Sequence, residues 1–166
     1  MLSPRFFKKI ESTVGKLILL ASEDKLIEIK FDRLTVNGEL SENVEENSEL
    51  PIFLDTEVQL DEYFRGKRKS FSIPIILNGT EFQQKVWKQL QSIPYGETIS
   101  YQELAEKIGD KKKARAVGAA NGKNSIPIIV PCHRVISKDG SLGGFGGGVP
   151  VKRYLLEMER RVFVKK

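Results

Sequence analysis

Two residues that could do chemistry stand side by side: Cys132 is the only cysteine of the 166-residue chain, and His133 is its only histidine. A thiol becomes a strong nucleophile only as the thiolate, and a neighbouring imidazole or proton relay is the usual way to reach that state near neutral pH. An apolar run, Ile126-Pro127-Ile128-Ile129-Val130-Pro131, leads into the pair. Its four β-branched residues, three of them between the prolines, predict a short buried strand, with Cys132 emerging at the C-terminal end, where a packed scaffold gives way to a pocket. Successive strand residues point to opposite faces, so a direct bond from Cys132 to His133 needs a turn or a bridging water. Taken alone, the pair fits equally well an inert core cysteine beside a surface histidine, because buried free cysteine is common and usually structural.

The rest of the composition narrows the setting. At 40% hydrophobic residues the chain can bury a real core as one domain or two small ones. One cysteine excludes an intramolecular disulfide, and one Cys with one His cannot make a tetrahedral zinc site without carboxylates, so no metal is expected. Both facts suit a reducing compartment. The first residues reach Lys8-Lys9 without a long apolar core, so the expectation is a cytoplasmic protein with no secretory signal and no membrane span. The net charge of +5 hides an asymmetry: residues 1–80 carry 11 Lys and Arg against 14 Asp and Glu, and residues 81–166 carry 16 against 8. Such concentrated positive charge suits a polyphosphate partner, although a solvated basic face is the plainer reading.

Patterning predicts the elements that must position the pair. Residues 15–21 and 26–31 read as a hairpin, residues 32–49 as an acidic loop, and residues 50–64 as a helix with Leu54, Val58 and Leu60 inward. Phe71, Ile73 and Ile75 alternate like a strand that Pro74 demotes to an edge. This first part, residues 1–78, is expected to be a small α/β scaffold domain. The second, residues 79–166, is expected to be mostly helical, for an α+β protein overall.

Thr80-Glu81-Phe82-Gln83 is a capping-box pattern opening a helix with Phe82, Val86, Leu90 and Ile93 on one face. Ser100-Tyr101-Gln102-Glu103 opens a second, in which Tyr101, Leu104, Ala105 and Ile108 share a face and Gly109 ends it. A third helix spans about residues 112–121. Two short helices joined by a glycine-containing turn, the second rich in cations, describe a helix-turn-helix. Arg115, Gly118, Ala119 and Gly122 fall on one face of the third helix, which thus has little with which to read bases but permits close approach to a groove or to another helix. A glycine tract, residues 143–148, precedes a last helix from Pro150 with Val151, Tyr154, Leu155 and Met158 inward and Glu159 at its end; the tail, residues 160–166, is basic.

Pro131-Cys132-His133-Arg134-Val135, the upstream Arg115-Ala116-Val117-Gly118 and Asn124, the Ser100-Tyr101 helix start and the glycine tract together resemble the O6-alkylguanine-DNA alkyltransferases. The likeness is strong over about residues 82–159 and weak before them. It implies direct-reversal DNA repair in which the alkyl group of O6-alkylguanine, and of O4-alkylthymine, passes irreversibly to Cys132 without a cofactor. The partner implied is double-stranded DNA bound through its minor groove, by a monomer.

In the resemblance, Cys132 is the alkyl acceptor, activated through a water to His133, which Glu159 polarises. Arg115 enters the base stack in place of a flipped nucleotide. Tyr101 helps to rotate that nucleotide and then bonds the guanine ring. Ala116, Gly118, Ala119 and Lys123 belong to the DNA-binding surface, and Val135, Phe145, Gly146 and Asn124 to the substrate pocket. Carbonyls of Cys132 and Val135 would accept from the guanine amine, an N–H of Gly146 would donate to the substituted oxygen, and Asn124 would brace the turn before the active cysteine. Arg134 is expected to tie the scaffold together.

Some positions depart from the family. Phe145 stands where some members have tyrosine, Ser125 where a proline often follows the asparagine, and the N-terminal zinc ligands of some relatives have no counterpart. Two rivals remain open at this point. One is a non-catalytic recogniser of alkylated guanine that recruits other repair factors, as alkyltransferase-like proteins do without the cysteine. The other is a cysteine hydrolase, disfavoured because its histidine normally comes from a distant part of the chain.

Overall fold

The computed structural model describes residues 4–32 and 43–164, in two compact units, Met1–Leu77 and Asn78–Lys166. The first unit is a sheet of order β3-β2-β1-β4 with one helix: β1 Arg5–Ile10, β2 Leu17–Ala21, β3 Leu26–Phe31, β4 Val44–Glu46 and α1 Pro51–Phe64. The expected hairpin is β2–β3, antiparallel with Leu19 opposite Ile29. All five residues of β2 are buried, as suits a central strand made wholly of apolar side chains.

Four features differ from expectation. β1, not foreseen, pairs antiparallel with β2; its Phe6-Phe7 and Lys8-Lys9 doublets break the alternation that marks a strand. The acidic stretch holds β4, parallel to β1 at the sheet edge, where charged residues are tolerated; residues 33–42 of that stretch lie outside the described residues, as do Lys165 and Lys166 of the basic tail. In α1 the buried face is Ile52, Phe53, Thr56, Leu60 and Tyr63. Leu54 and Val58 are 42% and 58% exposed, because seating the two aromatic rings removes more apolar surface from water than seating Leu54 and Val58. Residues 71–75 form no strand but a single bridge, Ile75 to Leu26. Pro74 has no N–H to give, and its carbonyl accepts from Leu26 N at 2.9 Å.

The second unit contains α2 Glu81–Leu90, β5 Ile99–Ser100, α3 Tyr101–Lys107, α4 Ala114–Gly122, β6 Val135–Ile136 and α5 Val149–Val164. Thr80 caps α2 with both halves of the capping box formed, and Ser100 caps α3 by accepting from Glu103 N. A 3-10 turn, Lys111–Lys113, capped by the Asp110 carboxylate, leads into α4. Trp87 of α2, absent from the predicted core, is fully buried and donates from Nε1 to Ala120 O at 2.9 Å, fixing α4 against α2. α5 runs past Glu159 to Val164, so Glu159 lies inside the helix rather than at its end.

Candidate active site

The apolar run before Cys132 is not a strand. Residues 126–130 form a tight turn in which Val130 N donates to Ile126 O at 2.9 Å, and Ile128 sits at φ +76°. Two prolines deny the segment strand donors. Asn124 closes it instead: its amide donates to Val130 O at 2.8 Å, and its carbonyl accepts from Ile126 N at 3.0 Å. A left-handed β-branched residue is strained by about 1–3 kcal/mol, and it persists here because the surrounding bonds over-determine it.

Cys132 opens a 3-10 turn, Cys132–Arg134, rather than ending a strand. Opposite-face geometry therefore does not apply to the Cys132–His133 pair. All three side chains of the turn are buried. β6 follows directly and pairs parallel with β5, Ile99 opposite Val135 and Ser100 opposite Ile136. Since β5 runs straight into α3, this two-residue ladder brings Tyr101 to the cysteine turn. Asn121, which the sequence reading did not single out, is buried and donates to Cys132 O at 3.3 Å.

Behind the thiol lies a buried polar cluster. His133 Nε2 donates to Glu159 Oε2 at 2.7 Å. Arg134 grips the same carboxylate with two arms, Nε to Oε1 at 2.9 Å and Nη2 to Oε2 at 3.0 Å, and its third arm donates to Ile93 O at 2.7 Å. Burial opposes ionisation of Glu159, but the bonds and charge of His133 and Arg134 outweigh it and hold the carboxyl well below its usual range. His133 is pushed the other way, chiefly by burial, and so is neutral near pH 7. With Nε2–H committed to Glu159, the lone pair resides on Nδ1, which is buried with no hydrogen-bond partner among the described residues. That nitrogen is free to take a proton.

Burial pushes the Cys132 thiol up to about 11, against a hydrogen bond from Asn124 and the positive charge of Lys152. Lys152 was not expected here. It sits in the first turn of α5, fully buried, and donates to Val135 O at 2.7 Å and Gly144 O at 3.3 Å, with its nitrogen 5.9 Å from the centre of the Tyr101 ring. Its signal was available: Val151, Lys152, Leu155, Met158 and Glu159 fall at i, i+1, i+4, i+7 and i+8, which puts both charged residues inside the apolar stripe.

The remaining expected site residues divide into two groups. Cys132, His133, Glu159, Asn124, Val135 and Tyr101 come together. Phe145 is half-buried and Gly146 exposed in the tract before α5, whose Gly143 packs on the Tyr101 hydroxyl. Arg115, Ala116, Ala119 and Lys123 are exposed and Gly118 half-buried on the outer side of α4, while Val117, Ala120 and Asn121 face inward. The small-residue face is thus turned outward. Beside it stand Lys111, Lys112 and Lys113, the last over the ring of Phe82 at 5.6 Å.

A helix-turn-helix with a bare outer face and a buried sulfur backed by an imidazole–carboxylate pair define a class: a DNA-binding module that carries its own nucleophile. Comparison with known proteins makes this specific. Residues 81–161 match the DNA-binding domain of 6-O-methylguanine DNA methyltransferases, and residues 6–77 match their ribonuclease-like domain. The chain belongs to this family. It is 40% identical over 163 residues to the constitutive methylated-DNA–protein-cysteine methyltransferase of Bacillus subtilis, covering 97% of this chain and 99% of that one. To the methylated-DNA–protein-cysteine methyltransferase of Mycobacterium tuberculosis it is 44% identical over 154 residues, 93% of this chain and 92% of the other. The crystal structure of Mycobacterium tuberculosis OGT in complex with DNA superposes with a TM-score of 0.86 at 43% identity, over 95% of this chain and 94% of that chain. Among the described residues, no helix is long and apolar enough to cross a membrane.

Proposed function

We propose that the chain reverses DNA alkylation directly, moving the alkyl group of O6-alkylguanine, and of O4-alkylthymine, to Cys132 once the nucleotide has been rotated out of the duplex. The observation that supports this most is the setting of Cys132: a buried thiol whose next two residues are fastened to one carboxylate of α5, in a turn that the β5–β6 ladder ties to Tyr101. The thiol proton passes to Nδ1 of His133, directly or through water, while Glu159 steadies the imidazolium that forms. Sulfur attacks the alkyl carbon, the S–C bond forms as the C–O bond breaks, and the electron pair stays on the purine oxygen. Tyr101 donates to the departing ring, which ends as neutral guanine by regaining one proton. Thiol and alkylated base supply every atom. The product is a thioether, a very poor leaving group, so each molecule acts once.

Delivery of the base falls to α4. An alkylated oxygen inside the stack is out of reach of the sulfur, so the nucleotide must leave the duplex. The outward face of Gly118, Ala119 and Gly122 suits a close approach to the minor groove, with Arg115 filling the gap in the stack and the lysines beside it on phosphates. Residues 79–166 then carry both binding and transfer, and residues 1–78 serve as scaffold, in a monomer working in the reducing cytoplasm. The test is incubation with duplex DNA containing O6-methylguanine, followed by mass mapping. The Cys132 peptide must gain one methyl; an unmodified peptide with tight lesion binding would mark a non-catalytic recogniser.

A further inference from the structure

The backbone carbonyls around Cys132 are already engaged. Val130 O accepts from Cys132 N at 2.8 Å and from the Asn124 amide at 2.8 Å, and Pro131 O accepts from Arg134 N at 3.0 Å. Cys132 O accepts twice, from Val135 N and from Asn121 Nδ2 at 3.3 Å, which fills both of its lone pairs. Val135 O holds the Lys152 ammonium at 2.7 Å. Two side-chain acceptors beside Cys132 are left over, His133 Nδ1 and Asn121 Oδ1, both buried and without a hydrogen-bond partner among the described residues.

His133 Nδ1 has its use in the reaction as written, since it receives the thiol proton. Asn121 Oδ1 has none. Asn121 is 5% exposed on the inward face of α4, and the sense of its amide is fixed: Cys132 O is an acceptor, so the NH2 end must face it and the oxygen must face elsewhere. A buried acceptor left without a donor is costlier than a leucine of the same size, so the position calls for a donor that arrives from outside the fold.

The substrate brings one. Alkylation at O6 removes the N1–H of guanine, so the ring nitrogens of the lesion are acceptors and its 2-amine is the one donor group left. That amine shares an edge of the ring with the alkylated oxygen. When the alkyl carbon reaches the Cys132 sulfur, the amine comes in beside the residue to which Asn121 is bonded. Cys132 is itself only 6% exposed, so admitting a base to the sulfur uncovers this corner of the unit as well.

Building on the function proposed above, we propose that Asn121 is a specificity-determining residue: its Oδ1 accepts a hydrogen bond from the 2-amine of the flipped O6-alkylguanine, while its Nδ2 keeps Cys132 O in place. A site that offers an acceptor to a substrate N–H discriminates against a substrate without it. The contact therefore favours guanine lesions over O4-alkylthymine, which has no donor to give. No covalent bond of Asn121 is made or broken in the transfer.

The experiment compares the full wild-type chain with Asn121→Leu, which keeps the size and removes both polar atoms. The substrates are two duplexes, one with O6-methylguanine and one with O6-methylhypoxanthine, the same lesion without the 2-amine, and single-turnover methyl transfer to Cys132 is followed by mass. Base-pair strength differs between the duplexes but is the same for both proteins, so the change in the ratio of the two rates isolates the contact. The wild-type ratio of O6-methylguanine to O6-methylhypoxanthine rates should fall about tenfold in Asn121→Leu, the worth of one neutral hydrogen bond. An unchanged ratio, whatever the absolute rates, would make Asn121 a brace for Cys132 O and overturn the assignment. If circular dichroism shows Asn121→Leu unfolded, the wild type decides on free bases, which need no flipping: O6-benzylguanine should react about tenfold faster than its analogue without the amine, and equal rates would overturn the assignment. A wild-type chain that takes a methyl from neither duplex strikes the proposed function, whereas an unchanged ratio strikes only the role of Asn121.

Discussion

The cysteine turn and the outer face of α4 belong to the same unit and are built in opposite ways. In the turn, side chains are buried, and Glu159 takes two arms of Arg134 and one imidazole N–H. On the outer face of α4, residues are exposed and nearly devoid of side chain, with Arg115 standing out from them. The difference matches the two tasks proposed for them. Group transfer demands a nucleophile held to within a fraction of an ångström, which takes many redundant bonds. Extracting a base demands that a backbone come close to a duplex, which takes the removal of everything that would keep it away. Lesions in the turn should therefore register as lost stability, and lesions on the α4 face as lost delivery with the fold intact.

The largest effect is expected from breaking the buried cluster. Glu159→Ala leaves the Arg134 charge buried without its partner, which costs about 3–5 kcal/mol and should appear as a large drop in the thermal midpoint. Acid has the same target. Glu159 titrates at about 2 in the folded chain against a reference of 4.5. A carboxyl depressed in this way contributes stability that is complete above about pH 4.5 and is lost as the pH falls toward 2, here about 3 kcal/mol. Glu159→Gln should flatten that part of the acid unfolding curve; a curve of unchanged steepness would mean that other carboxylates govern it.

Arg115→Ala sharpens the contrast from the other side. The side chain is exposed, so the unfolding free energy should change by less than about 0.5 kcal/mol. Repair of duplex O6-methylguanine should slow roughly tenfold to a hundredfold, because the vacancy left by a flipped base is no longer filled. The free base O6-benzylguanine needs no flipping and should react at an unchanged rate. Equal losses on both substrates would place Arg115 in the pocket chemistry rather than in delivery.

Between these extremes lies the seam where the glycine tract meets Tyr101. Gly143 has a φ of +74°, and a Cβ there would stand 2.7 Å from the Tyr101 hydroxyl. Gly143→Ala thus combines left-handed strain with a displaced tyrosine, at a cost of about 1–2 kcal/mol. The loss in methyl transfer should exceed the loss in stability, since Tyr101 is pushed from the place where it meets the purine. Removing the hydroxyl with Tyr101→Phe in the same chain should recover the part of the stability lost to the clash, though not the left-handed strain, and should not recover transfer.

Much of this arrangement was legible where the information is local. The Thr80 and Ser100 caps, the β2–β3 hairpin and the small-residue face of α4 are written in spacings of two to four residues, and the structure contains each of them. What was not legible depended on partners distant in the chain. Residues 126–130 look like a strand because isoleucine and valine favour one; that they turn instead follows from prolines without donors and from Asn124, whose amide satisfies Val130 and Ile126. The inward face of α1 was ambiguous because two apolar stripes compete, and only the sheet decides between them. β4 is three residues long and reveals itself only when set beside β1. Lys152 was not singled out, although its place in the apolar stripe of α5 was a readable warning.

The smallest expected effect discriminates most finely. Gly118 lies in the middle of α4, and a Cβ added there would meet the Tyr101 ring at 3.6 Å, an ordinary contact with no clash. By intrinsic propensity alone, Gly118→Ala should stabilise the helix by up to about 1 kcal/mol. The added methyl makes only an ordinary contact with Tyr101 and displaces nothing, so reaction with O6-benzylguanine should keep its wild-type rate. If the outer face is bare because it must press against a groove, the added methyl stands between helix and duplex, and DNA affinity should fall several-fold even as the thermal midpoint rises. Stability and delivery would then move in opposite directions on a change of one carbon. A variant that gains stability and binds duplex as tightly as the wild type would show that the small residues serve packing, and that the close approach proposed for this face does not occur.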